Sequence, residues 1–481
     1  MSKVMQVQIA LMSAALALPV FAGPSTFCNP LSIPGMPIGA YCRGHENGTE
    51  FPKDAWSQRF WNAGICNGGT MKQHREIADP VTYVEGNTWY LYPSLGLLWK
   101  SENSGGTWER VDVSDRNDYA PAVAKLGSRY YLCTSFGNIR VGDSPTGPFT
   151  DLGPFDMSSF GPEQMPGTGD PALLADEGRL YLYWGCCAAP KALWVVELDP
   201  ENPVKGKGNA KCLMEYDEAK YPWLNELIEG VWAFRRGDTY YLCYATGNTI
   251  NPDYVWCCSK SSSPMGPFTP QKRNPFFATT KGLVTGTSHG SIWSDKDGDW
   301  WINYCVAVSA YHGFERMIGQ DRLFFDDDGD ISVGSATSTP QWLPSSGKKG
   351  DTGWKRIEVV RTDAWAACDD AIRSWWAMPR EKREAAFFFG REATVRAFRV
   401  IWRDLGLDIE RGVKPGAYQY RIDRREGGEW KTWLDATDNS TDLTVDYREA
   451  PEATADAVRI TVVGAPEGIT PALADFAVFG N

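Results

Sequence analysis

The alternation of apolar and polar positions divides this chain into short β-strands, and one strand pattern returns five times. In each copy a small or acidic residue, often followed by Pro, leads into a short apolar run, a Gly-containing turn and an aromatic-rich run. The copies are Ala78-Asp79-Pro80-Val81 with Trp89-Tyr90-Leu91-Tyr92, then Tyr119-Ala120-Pro121-Ala122 with Tyr130-Tyr131-Leu132-Cys133, then Gly169-Asp170-Pro171-Ala172 with Leu180-Tyr181-Leu182-Tyr183. The fourth is Ile228-Glu229-Gly230-Val231 with Tyr240-Tyr241-Leu242-Cys243, and the fifth is Ser288-His289-Gly290-Ser291 with Trp300-Trp301-Ile302-Asn303-Tyr304. Val, Tyr, Trp and Leu suit a pleated, half-buried surface. Intervening residues such as Glu85-Gly86-Asn87 and Arg236-Gly237-Asp238 tolerate positive φ. Each copy therefore predicts a β-hairpin. The copies recur at intervals of roughly 40 to 60 residues, the length of a four-stranded propeller blade with its loops. Five copies predict a five-bladed β-propeller over residues 23–345.

The flanks read differently. Met1 to Ala22 holds Lys3 and an apolar stretch from Ile9 to Phe21, the pattern of a secretory signal peptide cleaved after Ala22. The stretch is shorter than the ~20 residues that span a bilayer. Residues 23–65, rich in Pro, Gly and Asn, predict an extended arm that could close the ring against the last blade. A linker at Pro344-Ser345-Ser346-Gly347-Lys348-Lys349-Gly350 precedes short alternating runs such as Val395 to Trp402 and Ala457 to Val463. These predict a separate β-sandwich over residues 351–481. The fold class is thus all-β.

Composition narrows the function. The net charge of −12 lacks the basic footprint that nucleic acid requires. Twelve cysteines suit export to an oxidising compartment, with Cys28, Cys42 and Cys66 as disulfide candidates. There is no CxxC pair, which argues against structural zinc. Asp326-Asp327-Asp328-Gly329-Asp330 lacks the spacing to a twelfth-position Glu that a calcium-binding EF-hand needs and reads as a solvated turn.

A propeller directs the residue that opens each hairpin toward one end of its axis. Asp79, Ala120, Asp170, Glu229 and His289 would converge there. One Asp-Pro is commonly only a turn, but three acids at one phase of a repeat point to chemistry. Here the chain resembles glycoside hydrolase family 43, whose fold is a five-bladed propeller. The resemblance implies that Asp79 is the general base, Asp170 the acid that tunes and orients, and Glu229 the general acid. Glu226, three residues earlier, is the alternative acid. Arg322 in Asp-Arg-Leu-Phe matches an arginine that reaches the sugar; the other reading is an ion pair with Asp321 or Glu315. His289 would touch water or a structural calcium ion in the central channel, or be a buried, hydrogen-bonded histidine. Tyr92 and Trp232 are candidate sugar-binding aromatics. No cofactor is required.

The C-terminal runs resemble a discoidin-like jelly roll, which either binds carbohydrate or braces the propeller. Together these features imply a secreted or periplasmic, inverting exo-glycosidase acting on an oligo- or polysaccharide, with no nucleic-acid partner and no membrane span. The expected product is α-L-arabinofuranose, with β-D-xylose as the alternative. A non-catalytic sugar-binding propeller is a further alternative, which the presence of all three acids disfavours. A retaining fructoside hydrolase is disfavoured because Ile-Ala precedes Asp79.

Overall fold

A computed structural model describes residues 23–38, 74–94, 96–111, 119–162, 165, 167–185, 190–307 and 315–481. Residues 1–22, the expected signal peptide, and Cys42 and Cys66 lie outside the described residues.

Five four-stranded antiparallel sheets follow one another along the chain, each built from four consecutive strands. Blade I opens with Val81–Glu85, blade II with Ala122–Leu126 and blade III with Ala172–Asp176, while blades IV and V open with Glu229–Arg236 and Ser288–Ser294. Each opening strand packs against the next, and the fifth packs against the first, which closes the ring. The hairpin registers fall where the repeat predicts them: Val81 faces Tyr92, Ala122 faces Cys133 and Ala172 faces Tyr183.

Among the described residues no strand is exchanged to close the ring. Blade V meets blade I through side chains: Thr82 donates its backbone N–H to Ser291 Oγ at 2.8 Å, and Asn303 Nδ2 donates to Thr82 Oγ1 at 2.6 Å. Trp89 stands edge-on to Trp293 with ring centroids 5.4 Å apart. The described part of the arm, residues 23–38, supplies no blade strand. Its Thr26–Phe27 strand pairs with Gln341–Trp342, beyond the last blade.

The blades are also tied by the turns that follow their third strands. Tyr92 donates its hydroxyl to the carbonyl of Pro145, in the blade II turn, and Tyr183 makes the matching bond to Pro264, in the blade IV turn, at 2.7 Å. Trp232 donates Nε1–H to Ile292 O at 3.1 Å. Tyr92 and Trp232, expected at the sugar, are thus buried between blades. Their polar tips are used to satisfy the neighbouring backbone, as buried aromatic hydroxyl and indole groups generally must be.

The C-terminal domain is one seven-stranded antiparallel sheet folded over its own apolar core, which includes Phe387, Val395, Phe398, Tyr420, Ile460 and Phe476. Its long strands, Glu384–Leu405 and Val445–Gly464, carry register shifts that let one sheet wrap as a sandwich. The arm lies between the domains: Ser25 and Thr26 donate their N–H groups to Glu449 Oε1, both at 2.7 Å, and Leu31 N–H bonds Ile318 O at 2.8 Å.

Eight described cysteines form no disulfide. Cys28, a disulfide candidate, is buried beside the Arg399 guanidinium, and Cys133, Cys243, Cys257, Cys258 and Cys305 are buried within strands. No helix among the described residues is long and apolar enough to cross a membrane.

Candidate active site at the axial end of the propeller

The residues that open the blades adopt an uncommon backbone conformation. Asp79, Ala120, Asp170 and His289 have φ of 51°, 45°, 45° and 48°, in the left-handed region that non-glycine residues seldom occupy. In blade IV the matching residue is Gly230, at φ 57°, because Trp232 faces Cys243 as Val81 faces Tyr92. Glu229 therefore sits one position ahead of the strict phase. A Cβ on Gly230 would lie 2.9 Å from His289 Cγ, so glycine serves both the backbone and the space.

Asp79 is the most heavily engaged acid. Its Oδ1 lies 3.0 Å from Arg316 Nη1 and 3.2 Å from His289 Nδ1, and its Oδ2 accepts from Ser94 Oγ at 2.7 Å. Its N–H donates to Cys305 Sγ at 3.1 Å. Burial opposes ionisation, but Arg316, His289 and Ser94 outweigh it and hold the carboxyl well below the usual range. The surroundings thus favour the Asp79 anion.

Asp170 is buried with one oxygen 3.0 Å from Ser135 Oγ and the other accepting Gly230 N–H at 3.3 Å. Burial raises its pKa; His289 pulls the other way, and the Asp79 anion adds to the rise. The Gly230 bond ties Asp170 to the residue next to Glu229. Glu229 is itself buried and accepts the Tyr254 hydroxyl at 3.1 Å. Glu226 is exposed on the outside, where its side chain accepts from Asn248 at 2.8 Å. Of the two glutamates, the geometry brings Glu229 to the acids.

Burial disfavours the His289 imidazolium, yet Asp79, Asp170 and Glu229 push its pKa up to about 9. Its Nδ1 faces Asp79 Oδ1 at 3.2 Å. No group of three or more His, Cys, Asp or Glu among the described residues could hold a metal. His289 thus lies among carboxylates that favour a positive charge on its ring.

The arginine that reaches this cluster is Arg316. Arg322 is on the same strand, Arg316–Phe325, but six residues onward is roughly 20 Å. There it pairs with Asp299 at 3.0 Å and lies over the Trp301 ring at 4.4 Å, so its ion pair is with neither Asp321 nor Glu315. Arg316 is held by Glu76 Oε1 at 2.7 Å and donates to the Tyr119 hydroxyl at 2.9 Å.

Sequence reasoning also missed Ser94, Ser135, Tyr254 and Glu76. The serines had a signal: each lies two residues past the end of an aromatic run and accepts the N–H of the next blade's opening residue, Ala120 at 2.9 Å and Asp170 at 2.7 Å. Phe136, next to Ser135, is 52% exposed and donates its N–H to Thr168 O at 3.0 Å, two residues before Asp170. Tyr254 and Glu76 belong to no repeated position.

Such a cluster holds an ionised carboxylate, a buried glutamate that can carry a proton, and a third acid beside them. This is the equipment for hydrolysing a glycosidic bond. The chain is 28% identical over 242 residues to proteins of Aspergillus flavus and Aspergillus oryzae, each named "Probable arabinan endo-1,5-alpha-L-arabinosidase A", covering 44% of this chain and 71% of either relative. Among solved structures, an endo-1,4-beta-xylanase from Bacteroides thetaiotaomicron is 21% identical with a TM-score of 0.45, over 57% of this chain and 98% of the other. The model of "Glycosyl hydrolases family 43" matches residues 78–331, more than half of the sequence, and the chain belongs to that family.

Proposed function

We propose that this glycoside hydrolase cleaves α-L-arabinofuranosidic bonds with inversion at the anomeric carbon, releasing terminal arabinofuranose. The observation that carries the mechanism is the split between two buried acids at one axial end. Asp79 is held ionised by Arg316 and His289, while Glu229 is buried and accepts the Tyr254 hydroxyl. Glu229 would donate a proton to the leaving oxygen as Asp79 draws a proton from water on the opposite face of the ring. Asp170, which accepts the Gly230 N–H, would hold the residue next to Glu229 in place and so orient the acid. The imidazolium of His289 and the guanidinium of Arg316 offset the concentration of acids.

Arabinose is favoured because both Aspergillus relatives are named for an arabinan. Those names also support the second reading, cleavage of internal bonds. β-D-Xylosides are the remaining substrate class.

The test is hydrolysis of aryl α-L-arabinofuranoside, aryl β-D-xyloside and linear arabinan by the wild type, with the anomer of the first product followed by NMR. Arabinofuranose released in inverted form supports the proposal. Early oligosaccharides from arabinan select the internal mode, and initial retention sinks the mechanism. In Glu229→Gln, rates should fall about 10²–10⁴-fold on substrates with poor leaving groups and less on activated aryl glycosides, which need no protonation.

A further inference from the structure

Two pairs of consecutive residues carry opposite charges in opposite directions. Arg75 and Glu76 form the first pair, Glu315 and Arg316 the second; all four are buried. Glu76 and Arg316 face the acids: Arg316 Nε meets Glu76 Oε1 at 2.7 Å, and Nη1 meets Asp79 at 3.0 Å. Arg75 and Glu315 face the C-terminal sandwich. Arg75 grips both oxygens of Asp442, at 2.7 and 2.6 Å, and lies 3.7 Å from Asp404. Glu315 takes Arg403 in a two-pronged bond, one arm of which is 3.1 Å. The two segments are joined by Ile77 N–H to Arg316 O at 3.1 Å.

Bidentate arginine–carboxylate pairs fix direction as well as distance. Pulling one residue of a dipeptide toward the sandwich aims its neighbour toward the axis, since adjacent side chains of extended backbone point oppositely. A domain that only needed to adhere would have no reason to attach at the two residues adjoining the Asp79 partners. We propose that the sandwich is part of the catalytic apparatus: Arg403 and Asp442 are positioning residues that, through Glu315 and Arg75, hold the Glu76–Arg316 pair against Asp79. The inference rests on Asp79 being the general base.

The test uses the full chain carrying Arg403→Met, Arg403→Lys or Asp442→Asn, with Glu449→Gln as a control that loosens the arm at Ser25 and Thr26, away from its bonds to Arg75 and Asp442 at Met36 and Gly35. Melting temperature, kcat, KM, the pH profile of kcat/KM and the NMR titration of His289 are measured. A displacement near 1 Å can cost about 100-fold. Arg403→Met should lower kcat about 10–100-fold with KM within about twofold. Its acidic limb should move to higher pH, because Asp79 loses part of the Arg316 charge. His289 should titrate at higher pH for the same reason, as the opposing cation withdraws. Asp442→Asn should do the same more weakly, Arg403→Lys should recover part of the loss, and Glu449→Gln should lower only the melting temperature.

If Arg403→Met and Asp442→Asn melt earlier yet keep kcat, the acidic limb and the His289 titration of the wild type, the sandwich merely braces and the proposal is overturned. Should Arg403→Met not fold, Asp442→Asn decides. A wild type inactive on both aryl pentosides would refute the substrate reading, while the His289 titration would still judge this one.

Discussion

The opening corners of blades I and III have the same sequence, Asp-Pro, the same left-handed backbone and the same serine partner chemistry, yet their acids are driven in opposite directions. Ser94 returns to the aspartate of its own blade; Ser135, whose own blade opens with Ala120, turns to the aspartate of the next. Asp79 is pushed toward the anion and Asp170 toward the acid. The difference comes from blade V, which brings Arg316 to Asp79 alone, while His289 acts on both and at Asp170 does not overcome burial. Position in the repeat selects which residues meet. Chemistry is assigned by what other blades bring to the meeting.

The strongest way to break this comparison is to neutralise each aspartate. Asp79→Asn should cost about 10³-fold or more in kcat, as expected for removal of a general base, and Asp170→Asn about 10²-fold. Both should lower the His289 pKa from about 9, Asp79→Asn by more, which NMR titration of the imidazole would show. Equal kinetic losses and equal His289 shifts would mean that the two corners are interchangeable.

A subtler test uses pH and stability. His289 binds its proton more tightly in the folded chain, about 9 against 6.5 for the free group. Its contribution is then fully present below about pH 6.5 and lost as pH rises through about 9. The melting temperature of the wild type should fall relative to His289→Gln across that window, and a constant difference would refute the imidazolium. Gly230→Ala should destabilise by about 1–3 kcal/mol through its positive φ and its collision with His289, measured by denaturant unfolding. The smallest effect is expected at Arg322→Gln: kcat and KM within about twofold and a stability loss of about 1 kcal/mol or less, because this half-buried pair stands away from the acids. A large rise in KM would restore Arg322 to the sugar.

The repeat made the propeller legible, because the hairpin pattern records both strand alternation and turn geometry. It also led to Asp79, Asp170, Glu229 and His289, which lie at or next to the repeated phase. Tyr92 and Trp232 were misread because an aromatic at a strand end serves equally well as an inter-blade clasp. The motif match fell on Arg322 and not on Arg316, because a strand with two arginines does not announce which end meets the axis. Tyr254 and Glu76 reach the site from outside the repeat, so nothing periodic marks them. The sandwich was legible as a domain, but its ion pairs to residues 75 and 315 join positions whose contact only the folded chain reveals.

The bond from Ser25 to Glu449 joins residues 424 positions apart. A chain growing from its N-terminus must release the arm long before its acceptor exists, and the arm's partner strand, Gln341–Trp342, also arrives late. Contacts of such sequence separation are costly to close and tend to slow folding. The blades, made of consecutive strands, can form as they emerge, whereas the clasp around them waits for nearly the whole polypeptide. A copy truncated before residue 449 would leave the arm without this anchor.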